Sequence, residues 1–300
     1  MTPILFTGCL KEDLSDCKDV DNVFLMFDLK ASGQSGIFTD IITSVDVILF
    51  DKNGKYVMQK RVNEDDLKTY QGVRFYVKPG LYRAVAWANV SEASSLSTQS
   101  SSGYTRFAES YLQTVSDQSG DNLYYAPDKE TGPVLPDDPD LTIYEVNVGV
   151  GEETHKQLSF IRANRRLSIY IRNFKGIAKP TIQLSSIPDR YDYYLRTYET
   201  RKDYSRTTGT VKYNVTDELM EFADFRAPIA DFDASMVVKL IDNDTNAVIK
   251  KTVNIKKFVE DNVHLITDMN ELSMVLTINL DASISIALPD WKNNDVKPIW

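Results

Sequence analysis

From Val23 onward, apolar residues recur at every second position in short runs, and turn-forming residues separate the runs. Val23, Leu25, Phe27 and Leu29 make the first set, Val45, Val47 and Leu49 the second, and Val73, Phe75 and Val77 the third. Leu167, Ile169 and Ile171 repeat the pattern in the second half, as do Met274, Leu276, Ile278 and Leu280, and then Ile284, Ile286 and Leu288. A period of two places alternate side chains on one face of an extended strand, whereas a helix needs apolar residues three and four apart. The chain is therefore expected to be all-β with few short helices, built from packed antiparallel sheets. A chain of 300 residues, 42% of them hydrophobic, is long enough for two cores. Gly149-Val150-Gly151-Glu152-Glu153 reads as a hinge, which predicts an N-terminal β-sandwich over 20–150 and a C-terminal one over 151–300.

The turns set the pairing. Asn53-Gly54, within Asp51-Lys52-Asn53-Gly54, predicts a tight hairpin with both central residues at positive φ, and Tyr56-Val57-Met58 begins the returning strand. Pro79-Gly80 turns the chain into a strand over Leu81–Trp87. The Ser-rich run 91–103 has too little apolar surface to offset the entropy of ordering it and reads as a mobile surface loop. A short helix is expected over Arg106–Thr114 and another over Lys256–Asn262. Pro133, Pro136 and Pro139 punctuate the run into a strand over Leu141–Val150. In the second half, Phe160–Arg172 reads as one strand with Leu167, Ile169 and Ile171 on one face and Ser168, Tyr170 and Arg172 on the other. Met236–Ile241 and Ala247–Ile255 flank Asp242–Asn246 as a hairpin.

The chemistry-bearing residues exclude more than they propose. A net charge of -9 disfavours nucleic acid, whose binding rests on neutralisation of phosphates by Lys and Arg. His155 and His264 are the only histidines, and neither has metal-ligand spacing. There is no nucleophile elbow, P-loop or dinucleotide glycine pattern, so no catalytic residue, metal or cofactor is expected. Asp242-Asn243-Asp244-Thr245-Asn246 begins like a calcium loop but has Ala247 where Gly is required and Val253 where a bidentate Glu is required. An Asx-rich turn explains it better. Asp137, Asp138 and Asp140 among prolines read as a solvated loop. Trp87, Trp291 and Trp300, with Tyr191, Tyr193, Tyr194 and Tyr198, could stack on sugar rings. Such residues are also ordinary in β-sandwiches, and Trp87, on a strand, is expected in the core.

Ahead of the first strand, Leu5-Phe6-Thr7-Gly8-Cys9 is a short apolar run followed by small residues and a cysteine, which is the layout of a lipoprotein processing junction. Phe6 stands where such signals usually carry Leu, and a full signal would need a basic start and a longer apolar run. On spacing alone, a lipidated Cys9 and an incidental cysteine in a frayed terminus both remain open. Lys11-Glu12-Asp13 resembles the short basic-then-acidic signal that sends lipoproteins of Bacteroides-type bacteria to the cell surface. The whole string Cys9-Leu10-Lys11-Glu12-Asp13-Leu14-Ser15-Asp16-Cys17 is similar to the mature start of the fimbrial anchor and minor-subunit lipoproteins of type V pili, the FimB-like family.

That resemblance extends to Asp51–Tyr56, Pro79–Asn89, Leu123-Tyr124-Tyr125 and the strand after Phe160, and it implies two tandem transthyretin-like β-sandwiches behind a tether over 1–19. It implies a non-catalytic protein lipidated at Cys9, exported by Lys11, Glu12 and Asp13 and held in the outer membrane, with Cys17 left as a lone thiol. Its partners would be fimbrial shaft or accessory pilin subunits, joined by β-strand exchange, with Ser283–Leu288 a candidate for an ordinary sheet strand or an exchanging one. Shaft precursors of the family are trimmed after Arg or Lys. No compelling site lies between Cys9 and the first strand, although Lys18, Arg61 and Arg74 are basic, so retention of the lipid and anchoring are expected. The other class of function open to the sequence is a surface glycan-binding lipoprotein.

Overall fold

The computed structural model describes residues 21–29, 38–97, 99–100, 103–104, 106–128, 142–213, 218–229, 232–280 and 283–289. The first half opens with β1 (Val23–Leu29), α1 (Phe38–Ile41), β2 (Ser44–Asp51), β3 (Tyr56–Asn63), α2 (Glu64–Thr69), β4 (Gly72–Phe75) and β5 (Gly80–Ala88). Short strands follow: β6 (Ser94–Leu96), β7 (Gln99–Ser100), β8 (Gly103–Tyr104), β9 (Tyr111–Thr114) and β10 (Tyr124–Tyr125), then β11 (Tyr144–Val148) and β12 (Thr154–Arg162). The second half has β13 (Arg165–Arg172), β14 (Thr181–Pro188), β15 (Arg190–Asp192), β16 (Arg201–Thr207), β17 (Gly209–Tyr213) and β18 (Glu218–Ala227). It ends with β19 (Val237–Asp242), β20 (Ala247–Asn254), α3 (Ile255–Asn262), β21 (Glu271–Ile278) and β22 (Ile284–Ala287). The protein is all-β, as the alternation predicts.

One sheet of order β3-β2-β5-β10-β12-β1-β4, with β11 on β5, curls around a core to which β1 gives Val23, Leu25, Phe27 and Leu29 and β2 gives Val45, Val47 and Leu49. Phe38 of α1 and Leu67 of α2 close it. In the second half, β17-β18-β13-β21-β22 packs on β16-β14-β19-β20. Leu167, Ile169 and Ile171 meet Ile182, Leu184, Val238 and Leu240 between the two sheets. A third core lies outside the first sheet, where Ile48, Phe50, Val85 and Trp87 meet Leu112 of β9 and Tyr191, Tyr193 and Leu195 of the second half. The small sheet β15-β9-β6 roofs this core and draws strands from both halves. Burial on both faces explains why β2 and β13 are buried at all but their last residue, where simple alternation predicts one wet face.

Several local expectations change. Gly54 takes φ +75°, but Asn53 is not at positive φ; Asp51 Oδ1 accepts from Asn53 N and Lys55 N, and the register slips between Leu49 and Phe50. The hairpin is thus a longer, Asx-stabilised turn with a bulge. Part of the Ser-rich run is ordered, because β6 pairs with β9, placing Ser95 opposite Gln113 and Leu96 opposite Leu112. The helix expected from Arg106 shrinks to one 3-10 turn at Phe107–Glu109, since Leu112 and Thr114 alternate into a buried strand face. Two pairs are parallel, β1 with β12 and β13 with β21, which side-chain alternation cannot distinguish from antiparallel. The strand read over Phe160–Arg172 is two strands: Ala163 and Asn164 step the chain from the first sheet to the second, and Ala163 N donates to Leu123 O. Leu280 lies past β21 and is fully exposed. Gly149–Glu153 joins β11 to β12, two strands of the first sheet. Pro133, Pro136, Pro139, Asp137, Asp138 and Asp140 lie outside the described residues.

Candidate functional site

Cys9, Lys11, Glu12, Asp13, Cys17 and Lys18 lie outside the described residues. The structure does fix where the segment before β1 arrives. Asn22 N donates to Phe75 O (2.9 Å), Asn22 Nδ2 donates to Val77 O (2.8 Å), and Asn22 Oδ1 accepts from Val77 N (3.0 Å). The chain therefore enters beside β4, at one end of the curled sheet. There β3 and β4 face each other with no ladder between them, bridged by Lys60 Nζ donating to Arg74 O (2.5 Å). A cleft of about 540 Å³ opens at this gap, lined among others by Asp21, Phe24, Tyr70 and Arg74. The Arg74 guanidinium lies 4.4 Å over the Phe24 ring and pairs with Glu153, and its hydrogen bond holds the Glu153 carboxyl below the usual range. His155 sits edge-on to Phe24 and 3.3 Å from Glu153. Arg61 is held in β3 by Asp46. Both basic residues are thus tied into strands.

The C-terminal sandwich ends in edge strands. β14 and β16 pack over β18, so β20 and β22 end the two sheets on the same side. Ile249 of β20, Ile278 of β21, and Ile286 and Leu288 at β22 are half-buried against the core, as are Ile266 and Met269 after α3. β22, the candidate strand Ser283–Leu288, is an ordinary sheet strand here, paired antiparallel to β21 with Leu276 opposite Ile286 and leaving its other edge unladdered among the described residues.

The remaining candidates resolve into structural roles. Asp242 accepts from Asp244 N and Thr245 Oγ1, and Asp244 accepts from Ile177 N (2.6 Å) and Ala178 N (3.0 Å), so the Asx oxygens bind backbone and tie a neighbouring loop to the hairpin. His264 is exposed. The tyrosine platform does not form, because Tyr191 and Tyr193 are at most 1% exposed and fill the third core, where Trp87 stacks on Tyr191. Tyr194 and Tyr198 instead take Arg196 and Arg190 over their rings. Trp291 and Trp300 lie outside the described residues. Among the described residues no helix is long and apolar enough to cross a membrane.

What remains is a β-rich body, and comparison with known proteins fits that picture. Residues 14–297 match the family described as fimbrillin-A associated anchor proteins Mfa1 and Mfa2. The chain belongs to that family. The match begins just past Lys11-Glu12-Asp13, so it does not rest on Cys9 or on those three residues. The fimbrial anchor protein Mfa2 of Porphyromonas gingivalis has the same fold, with a TM-score of 0.58 and 14% identity over 88% of this chain and 94% of that one. A candidate adhesin of Bacteroides thetaiotaomicron reaches 0.64 at 11% identity, over 90% and 96%. Candidate polysaccharide-binding proteins of the same species reach 0.64 at 10%, over 92% and 100%. At these identities the likeness is one of fold. No curated relative matches the sequence. Membership of the anchor family assigns the protein a fimbrial role at the cell surface, in association with other fimbrial subunits.

The sequence singled out β22 but missed the half-buried Ile249 of β20 and the gap between β3 and β4. The adjacency of strand ends is a property of sheet order, to which local periodicity is blind.

Proposed function

We propose that the protein is a non-catalytic lipoprotein that anchors a fimbria or joins it as a minor subunit. Lipid on Cys9 holds it in the outer membrane, Lys11, Glu12 and Asp13 direct it to the cell surface, and a shaft or accessory pilin docks by strand-mediated contact. The observation that carries this reading is the family match along nearly the whole chain, over 14–297. The two β units meet at 163–164, after β12 has completed the first sheet. β22, which ends its sheet among the described residues, supplies what strand docking needs, an edge without a ladder and half-buried Ile286 and Leu288 beside it. An incoming strand that fully buried Ile286 and Leu288 would gain up to about 1.5–3 kcal/mol for each side chain taken from full exposure, and less for these half-buried ones.

Shearing fimbriae from wild-type and gene-deleted cells, then blotting filament and membrane fractions, tests the role. Retention with the membrane, and shed or elongated filaments in the deletion, establish an anchor; recovery in the filament makes it a minor subunit; normal filaments in the deletion refute both. Cys9→Ala is expected to move the protein from the membrane to the medium.

A further inference from the structure

Among the described residues only two strand pairs are parallel, β1 with β12 and β13 with β21, and they occupy corresponding places in the two halves. β12 and β13 are consecutive and meet at 163–164, where the chain passes from the first half to the second. β1 is the strand that the N-terminal segment enters, and β21 carries the edge strand β22 through a turn in which Asn279 N donates to Ser283 O (2.8 Å). Tension between the N-terminal segment and that turn therefore pulls β1 by its N-terminal end against β12 by its C-terminal end. It likewise pulls β13 by its N-terminal end against β21 by its C-terminal end. In an antiparallel pair those two ends lie side by side, so the pull opens the ladder one hydrogen bond after another. In a parallel pair they lie at opposite ends, so the pull runs along the strands and the whole ladder shares it. β1 and β12 are in register over seven residues, Val23 opposite Thr154 to Leu29 opposite Phe160, and β13 and β21 over seven, Arg166 opposite Glu271 to Arg172 opposite Thr277.

We propose that these two parallel pairs are mechanical clamps, one in each half, that carry tension through the molecule. Slippage has no soft intermediate, because a shift of one residue would turn Val23, Leu25, Phe27 and Leu29 out of the first core, and Leu272, Met274 and Leu276 out of the second. β1 is also pinned beyond its ladder. Asn22 O accepts from Thr154 N (2.8 Å) while the Asn22 side chain bonds Val77, and Gln71 gives Nε2 to Phe27 O (2.8 Å) and accepts from Phe27 N (2.9 Å). Across the junction, Arg162 of β12 pairs with Glu271 at the start of β21 and ties one clamp to the other. Only the source of the tension rests on the anchoring reading; the resistance to it is a property of the fold.

Single-molecule pulling on the full chain tests it, with Cys9→Ser and Cys17→Ser removing the native thiols and cysteines at exposed positions taking the handles. Asp21→Cys with Leu280→Cys loads both parallel pairs along their strands. Asp21→Cys with Lys78→Cys pulls the start of β1 against the adjacent end of β4, where Val23 lies opposite Phe75, and peels that antiparallel pair. Asp21→Cys with Thr267→Cys keeps β1 and β12 in shear but pulls β13 and β21 from the same end. All four handle positions are exposed. The Leu280 attachment is expected to rupture at a severalfold higher force than either of the others at the same loading rate, since forced unfolding reads the barrier along the direction of pull. A force no higher than that with Lys78 would remove the first clamp, and one no higher than that with Thr267 the second; either result overturns the proposal. Equal thermal melts of the three variants show that the direction of pull, and not stability, sets the difference. Filament retention is scored separately, so weak clamps leave the anchoring role standing, and normal filaments in gene-deleted cells leave the clamps standing.

Discussion

Tyr125 and Tyr193 lie in the same core and differ by one hydrogen bond. Tyr125 Oη donates to Tyr193 O (2.6 Å), while Tyr193 Oη has no partner among the described residues. Tyr125→Phe is expected to cost about 1 kcal/mol, whereas Tyr193→Phe is expected to be neutral or stabilising, because it removes a buried hydroxyl that satisfies nothing. Urea melts of the two variants decide it, and an equal loss in both would show that Tyr193 has a partner. Asp46 gives a pH-dependent case. Burial raises its carboxyl pKa above 3.8, outweighing Arg61 and then Gln59, which lower it. A raised carboxyl contributes stability in full below 3.8 and loses it as pH rises through the folded value. Relative to Asp46→Asn, the wild type is therefore expected to lose stability as pH rises through the acid range, in urea melts taken at several pH values. A constant difference would mean the ion pair offsets desolvation completely. Alternation marked neither residue, since it reports which face is buried and not which polar atom goes unpaired.

At the scale of elements, the strands themselves were legible. β1 buries Val23, Leu25, Phe27 and Leu29, and β21 buries Leu272, Met274 and Leu276, as a period of two requires. The hairpin at Asp242–Asn246 was legible as a turn, but its second task was not, because Ile177 and Ala178 are distant in sequence. Asp244→Ala is expected to cost about 1 kcal/mol and to speed amide hydrogen exchange at Ile177 and Ala178, which lose their acceptor. Unchanged exchange at those two amides would count against the tie. The misread elements fail for one shared reason. β6 and β9 are short and polar in part, and they are strands because β15 and the third core complete their surroundings.

In the whole molecule, the halves are joined by more than a linker. β15 pairs with β9, Lys202 donates to Ser116 O (2.9 Å), Ser205 N donates to Asp117 O (2.7 Å), and Arg226 bonds both Ser119 and Asn122. With Trp87 packed on Tyr191, this predicts one calorimetric unfolding transition. Trp87→Ala is expected to destabilise by about 3–5 kcal/mol while keeping a single transition; two separated transitions in the wild type would refute the shared core. By itself the sequence determined the all-β class, most strands, the inward face of each, and the absence of any recognisable catalytic motif, because these follow from local periodicity and local residue chemistry. Only the tertiary structure decided that β12 completes the first sheet, that Tyr191 and Tyr193 are core and not a stacking surface, and that two strand pairs run parallel. Those facts depend on which strands become neighbours, and neighbourhood is set by the sum of many distant contacts that no short window of residues contains.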